Sequence, residues 1–196
     1  MVRRKLTQRG RERRRQLMDH AAELFAERGY HPTSVADVVE SLGVGKGVFY
    51  WYFPSKEELL AEILRSSHQA LRRRQQQAIA DVEDPVERIE LGIRASMEWF
   101  AEHRKYFTIF QFAASDERFS PVLRRNQEVA IADTVRHIKD AIVDGAIADQ
   151  DPEVLAQALI GVIAQLTQTY IFEREEPVER VADATVSFSL HGLVGS

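Results

Sequence analysis

The sequence predicts an all-α fold of about nine helices and no sheet. Three observations carry this. Apolar residues recur every three or four positions through most of the chain. Helix-start signals recur: Ser34 with Asp37, Ser55 with Glu58, Asp84-Pro85, Ser120-Pro121, Asp151-Pro152 and Glu176-Pro177. No alternating apolar and polar run reaches strand length.

Taken in order, residues 1–10 read as a flexible basic arm ending at Gly10. A first helix is expected over 11–28, with Leu17, Ala21, Leu24 and Phe25 inward and Gly29 as its C-terminal cap. It places Arg13, Arg14 and Arg15 on its first turn, where the helix dipole disfavours cations unless an external anion such as a phosphate offsets them. A second helix opens at Ser34 and carries Val35, Val38, Val39 and Leu42 on one side. A tight turn at Gly43-Val44-Gly45 leads to a third helix, 46–53, anchored by Phe49 and Phe53. Gly43 suits the turn because it takes positive φ without steric cost.

Pro54 breaks the chain, and a long fourth helix buries Leu59, Leu60, Ile63, Leu64 and Leu71 before running into Arg72-Arg73-Arg74 and Gln75 to Gln77. The fifth, 85–102, turns Ile89, Ile93, Met97 and Phe100 inward. The sixth holds Tyr106, Phe107, Phe110 and Phe112 and stops near Ser115. The seventh carries Leu123, Ala130, Thr134, Ile138, Ala141 and Ile142 as a stripe to Gly145. The eighth is expected over 153–172 and the ninth over 178–193.

A chain of 196 residues, 44% hydrophobic and 29% charged, is long enough to bury a core. It has no cysteine, which excludes disulfides and thiolate metal sites. No apolar run is read as approaching a membrane span of ~20 residues, and the basic start lacks a signal peptide's apolar core. The expectation is a cytoplasmic protein with no membrane partner. Net charge is −4, unevenly spread: residues 1–60 hold 11 Lys/Arg against 8 Asp/Glu, the other 136 hold 15 against 22. The first 18 residues, with Arg3, Arg4, Lys5, Arg9, Arg11, Arg13, Arg14 and Arg15 against Glu12, reach +7. A basic tail can merely aid solubility. Directly before two short helices and a glycine turn, it reads as facing phosphates while the acidic body stays off them.

Residues 34–58, SVADVVESLGVGKGVFYWYFPSKEE, form a helix-turn-helix whose second helix suits a DNA major groove. The run GVGKGVFYWYFPSKEEL resembles the recognition helix and following helix start of TetR-family transcriptional regulators. The likeness is close over the first 65 residues and looser beyond. It departs at Gly45, where the family tends to have Ser or Thr, at Val48 (Thr or Ser) and at Tyr52 (His). The resemblance implies a TetR-type DNA-binding domain over 11–71, with the helix-turn-helix at 34–53, and an effector-binding and dimerisation domain over 72–196. It also implies a palindromic double-stranded operator, a small-molecule effector and a homodimer.

The DNA-binding candidates are Thr33, Ser34, Val44, Gly45, Lys46, Gly47, Tyr50, Tyr52 and Lys56. Thr33 and Ser34 open the second helix, where hydroxyls and backbone N–H groups hold phosphates, although Ser34 is equally an ordinary N-cap. Lys46 is the one long charged donor on the third helix and suits guanine O6 and N7. Gly45 and Gly47 let the backbone approach the groove. Tyr50 and Tyr52 read as exposed, with hydroxyls for phosphates or a base edge. Trp51 has two readings, a contact residue or packing against the fourth helix, of which packing is favoured. Lys56 resembles the family's phosphate-contacting lysine. With few hydrogen-bonding side chains, specificity leans on shape and backbone contacts, and affinity requires two heads.

For the effector, the candidate pocket set is Trp99, His103, Tyr106, Phe107, Phe110, Gln111, Asn126, His137, Gln165, Thr169 and Tyr170, with Phe112 and Phe172 nearby. Aromatic residues at helical spacing are usually packing; polar groups mixed into the set favour a cavity for a largely apolar ligand. Asp133 and His137, at i and i+4, have metal-ligand spacing, but a surface or pocket pair is the reading adopted, so no metal and no cofactor are expected. The eighth helix is apolar on two sides, Leu155-Leu159-Val162-Leu166 and Ala156-Ile160-Ala164-Gln168. By the resemblance, the second face and Val181, Thr185, Phe188 and Gly192 of the ninth form a four-helix dimer interface; both faces being core of one subunit is the alternative.

No catalytic motif is present: no Cys, no His-Glu-x-x-His, no Gly-x-Ser-x-Gly, and the glycines at 43, 45 and 47 follow no strand. The sequence thus reads as a homodimeric DNA-binding transcriptional regulator, a repressor released by ligand, and not an enzyme. Its alternatives are an effector-free nucleoid-associated or interaction protein, and a helical small-molecule-binding protein or enzyme.

Overall fold

The computed structural model describes residues 6–193. The chain runs α1 (Gln8–Arg28), α2 (Val35–Glu40), α3 (Lys46–Tyr52), α4 (Lys56–Ala78), α5 (Pro85–Glu102), α6 (Arg104–Ala114), α7 (Ser120–Val143), α8 (Pro152–Leu166) and α9 (Val178–Leu193). A 3₁₀ turn, Glu117–Phe119, precedes α7, and a π-helical segment, Thr167–Glu173, continues α8. No strand occurs among the described residues.

Two compact units emerge. The first holds residues up to Ser67 together with Lys105–Leu123; the second holds His68–Arg104 and the chain from Arg124 onward. Helix α4 is unbroken across the division, giving its first half to one unit and its second half to the other.

In the first unit, α1 starts three residues before the expected position. Thr7 caps it, its hydroxyl accepting from the Gly10 amide at 3.1 Å, so residues 8–10 are helix rather than arm. Arg13, Arg14 and Arg15 therefore lie in the second turn, where Arg15 pairs with Glu12 at 2.8 Å and Arg14 with Glu62 of α4 at 2.7 Å. Arg3, Arg4 and Lys5 lie outside the described residues. At its end, Gly29 takes φ +90° and its amide closes on the Phe25 carbonyl. The core gathers Leu17, Leu24 and Phe25 of α1, Val38 and Val39 of α2, Phe49, Phe53, and Leu59, Leu60, Ile63 and Leu64 of α4. Ile109 and Ala113 of α6 and Phe119 belong to the same core.

In the second unit, α5 packs against α9 and α8. Asp84 caps α5 through Val86 N–H at 2.8 Å, with Pro85 at the first helical position. Ile89, Ile93 and Met97 are buried as expected; Trp99 is buried too, and Phe100 only half-buried. The polar end of α4 docks through charge rather than apolar contact. Arg72 makes a two-pronged pair with Asp133 of α7 (2.5 and 3.1 Å), Arg74 reaches Glu98, and the Gln75 amide donates to the Ser96 hydroxyl at 2.8 Å. Leu71 is only half-buried, and of the expected α7 stripe only Ile138 and Ala141 are buried.

Two expectations for the eighth helix need correction. It does not continue as an α-helix to Phe172 but widens into π geometry at Thr167, and Arg104 meets this stretch, donating to the Phe172 carbonyl at 2.8 Å while lying 5.0 Å over its ring. Second, Pro152–Glu173 is 22 residues long with a window of mean hydropathy 1.4, so among the described residues one helix is long and apolar enough to span a membrane. That run packs on α9 and α5, and 22% of its window is buried.

Burial separates neighbouring aromatics on α3. Phe49 is fully buried while Trp51 is 58% exposed. Phe49→Ala should therefore cost about 3–5 kcal/mol of stability, and Trp51→Ala within ~0.5 kcal/mol of none, in urea unfolding followed by circular dichroism.

Candidate nucleic-acid interface

The helix-turn-helix is built by caps and one glycine turn. Ser34 and Asp37 form the full capping box: Asp37 N–H donates to the Ser34 hydroxyl (3.2 Å) and Ser34 N–H to the Asp37 carboxylate (2.6 Å). The Ser34 hydroxyl holds the Asp37 carboxyl below its ordinary range. Gly43 takes φ +61°, its amide donating to the Glu40 carbonyl, and Val44 N–H returns to the Val39 carbonyl. Val44 is half-buried on the core, so it seats the turn rather than facing a groove. Ser55 caps α4 through the Glu58 amide at 3.1 Å.

Helix α3 presents a sharply divided surface. Phe49 is buried, whereas Gly45, Lys46, Gly47, Tyr50 and Trp51 are exposed. A Cβ at Gly45 or Gly47 would meet nothing within 4 Å, so both face open space. Tyr52 is only half-buried and lies against the core, contrary to the exposure expected from helical phase. Trp51 reverses its expectation: it does not bury itself on α4 but stands in solvent, edge-on to Tyr52 with ring centroids 4.5 Å apart.

Two phosphate candidates are already engaged inside the fold. Thr33 is 1% exposed, and its hydroxyl donates to the Gly29 carbonyl at 2.7 Å. The Lys56 ammonium donates to the carbonyls of Tyr30 (2.8 Å), Thr33 (2.7 Å) and His31 (3.4 Å), and sits 4.2 Å over the Tyr30 ring. All three N–H donors are thus directed at the α1–α2 connection, and desolvation lowers its pKa. Sequence periodicity signals none of this, because the carbonyls that bind Lys56 belong to a turn.

Arg118, absent from the sequence candidates, closes the same cluster. It pairs with Asp116 at 2.6 Å and Glu57 at 3.2 Å and lies 5.6 Å over the Tyr30 ring. Phe112 and Phe119 flank Tyr30, with centroids at 5.1 and 5.6 Å. Burial pushes the Tyr30 phenol up, while hydrogen bonds from Arg118 pull the Asp116 carboxyl down to about 2.

The candidate effector residues divide between the units. Tyr106, Phe107, Phe110 and Gln111 belong to the first; Trp99, His103, Asn126, His137, Gln165, Thr169 and Tyr170 belong to the second. In the second, the His103 ring stacks on Trp99 with centroids 4.7 Å apart. Gln165 is exposed and donates to the Thr169 hydroxyl at 3.0 Å. The His137 Nδ1 is buried without a hydrogen-bond partner, and desolvation lowers its pKa. Asp133 is committed to Arg72, and no group of three metal-binding side chains occurs among the described residues.

The interface candidates on α8 and α9 also divide. Ala156, Val181 and Thr185 are buried within the subunit, Ile160 and Gln168 half-buried, and Ala164 and Phe188 exposed. Gly192 falls where only the helical backbone is described. The face that is free in the subunit is displaced one residue around α8, to Val154, Ala158, Gly161 and Gln165. Hydrophobic periodicity could not distinguish the two faces because both are apolar.

Comparison with known proteins decides what this head is. Residues 17–63 match the model for bacterial regulatory proteins of the tetR family, and residues 82–193 match the tetracyclin repressor-like C-terminal domain. The chain belongs to the TetR family. The HTH-type transcriptional repressor KstR2 of Mycobacterium tuberculosis is 35% identical over 120 residues, 59% of this chain and 60% of that protein. The match thus spans under two thirds of that relative. The HTH-type transcriptional activator FasR of Mycolicibacterium smegmatis is 27% identical over 187 residues, 93% of this chain and 83% of its own. The solved structure of the M. tuberculosis ketosteroid regulator KstR2 superposes with a TM-score of 0.72 at 26% identity, covering both chains fully.

The model that matches the head is one of bacterial regulatory proteins. The Arg118 cluster yields a pH prediction. A carboxyl depressed in the folded state stabilises it above its unfolded value near 3.8, and that contribution is lost as pH falls toward 2. Carboxyl NMR should show Asp116 titrating near 2 in the parent chain. In Arg118→Ala it should return to the ordinary range, with a shallower loss of stability on acidification.

Proposed function

We propose that the chain is a homodimeric repressor that a small, largely apolar ligand releases from a palindromic operator. The observation that carries the DNA half is the surface of α3, where Lys46, Tyr50 and Trp51 stand exposed on a helix locked from behind by Phe49. Lys46 reads a base edge, the basic residues of α1 and the preceding arm supply salt-dependent affinity, and the protein acts in the cytoplasm, where its operator lies. Lys56 supports the interface from inside by holding the turn before α2.

Dimerisation is supported by the exposed apolar face of α8 and α9, where Val154 is 61% and Phe188 65% exposed. A helix apolar on two sides with one side uncovered suits a mate helix better than water. Ligand binding is supported by the second unit's mixture of aromatic rings with the unpartnered His137 nitrogen. The description of KstR2 as a ketosteroid regulator agrees with an apolar effector. Because α4 runs unbroken through both units, a ligand that shifts it changes the spacing of the two α3 helices in the dimer. A preference of ~3–5 kcal/mol for the non-binding state suffices to empty the operator.

Gel shift on DNA upstream of the chain's own gene tests this reading, with long-chain fatty acids and ketosteroids as release probes. Lys46→Ala should change base preference at one position per half-site, by about 1–3 kcal/mol. Lys56→Ala should weaken binding without changing the salt slope, since its ammonium faces carbonyls; a shallower slope would instead return it to the phosphates. Phe188→Glu should leave the fold intact, sediment as a monomer and lose operator binding. An unchanged dimer would exclude this face.

A further inference from the structure

Trp51 is the anomaly on α3. Of the five exposed large hydrophobic side chains among the described residues, two, Tyr50 and Trp51, occupy this seven-residue helix. An indole left 58% exposed is an unused apolar surface, and this one is held ready. Its ring abuts Tyr52 edge-on at 88°, and Tyr52 rests on the buried core, so the indole is braced from behind. A helical side chain covers the turn N-terminal to its own Cα. For Trp51 that turn holds Gly47, which has no side chain and nothing within 4 Å of where a Cβ would stand. The result is an exposed flat apolar plate one turn from a glycine, on the face assigned to the major groove.

The groove offers that plate one apolar feature. Each base pair presents donors and acceptors there, but only thymine adds a methyl group. Apart from Lys46, α3 presents only the tyrosine hydroxyls and the indole N–H for hydrogen bonding, so donor–acceptor reading is sparse. We infer that Trp51 is a specificity-determining residue that reads a thymine 5-methyl group in each operator half-site. This rests on the proposed docking of α3 in the major groove. The magnitude is that of one buried methyl group, ~0.8 kcal/mol, or about fourfold in affinity per half-site and about fifteenfold with both half-sites changed.

The test separates the methyl from everything else thymine carries. Operators are first selected from a random duplex pool with the full-length protein. Each thymine is then replaced by deoxyuridine, which removes only the methyl. At one symmetry-related position, the parent protein should lose about fifteenfold when both half-sites are replaced. Trp51→Ala should bind the thymine operator more weakly and no longer distinguish thymine from deoxyuridine at that position. Trp51→Phe should retain part of the discrimination. If deoxyuridine is tolerated everywhere, or Trp51→Ala keeps the full loss, the inference is overturned while the α3 assignment stands. If Lys46 and Trp51 variants both leave DNA binding untouched, the docking of α3 fails and this inference with it.

Discussion

The contact on which the DNA-binding unit depends is the Lys56 ammonium gathered under the carbonyls of Tyr30, His31 and Thr33. Carbonyls at a turn between helices need donors, and water reaches this turn poorly because Tyr30 and Thr33 are buried. One cation satisfies them together and ties the first turn of α4 to the entry of α2. The ring of Tyr30 adds its negative face to the same charge. The position of α2, and through the Gly43 turn that of α3, follows from this attachment. The partial desolvation of the lysine is offset by three hydrogen bonds and the π face, which is why the arrangement persists.

Arg118 extends that attachment to a distant part of the chain. Its guanidinium binds Glu57, the residue after Lys56, while Phe112 and Phe119 close on Tyr30. The segment 105–123 thereby joins the DNA-binding unit, although the family comparison assigns it to the C-terminal domain. The chain passes between the two units along α4, near Arg104 and again near Leu123. The second unit's share of α4 is held by ion pairs and amide hydrogen bonds, Arg72 to Asp133 and Gln75 to Ser96. Such directional polar contacts exchange partners more readily than close-packed apolar ones, which suits the proposed movement of α4.

Helix α3 departs from hydrogen-bonded base reading. Its exposed surface holds Gly47 after the N-cap Gly45 and the rings of Tyr50 and Trp51, leaving Lys46 as the single long donor. In the proposed complex such a surface gains affinity from shape and apolar cover, with the arginines of α1 and a second subunit supplying strength.

By itself the sequence determined the helical class, the caps and the turn. Those features are local: the Ser34–Asp37 box, Pro85 after Asp84 and the positive φ of Gly43 depend on residues within four positions of one another, and all stand in the structure. The start of α1 was misplaced because Thr7 caps through Gly10, a residue read as a terminator. Tertiary structure alone decided which exposed-looking groups are free. Thr33 and Lys56 looked available and are engaged, because their partners are carbonyls of a turn whose shape no local rule encodes. Trp51 looked buried and is free, because Phe49 and Phe53 already fill the space beneath α3. Likewise, the sequence marks two apolar faces of α8, and the packing of α9 and α5 leaves a third line uncovered, Val154, Ala158, Gly161 and Gln165.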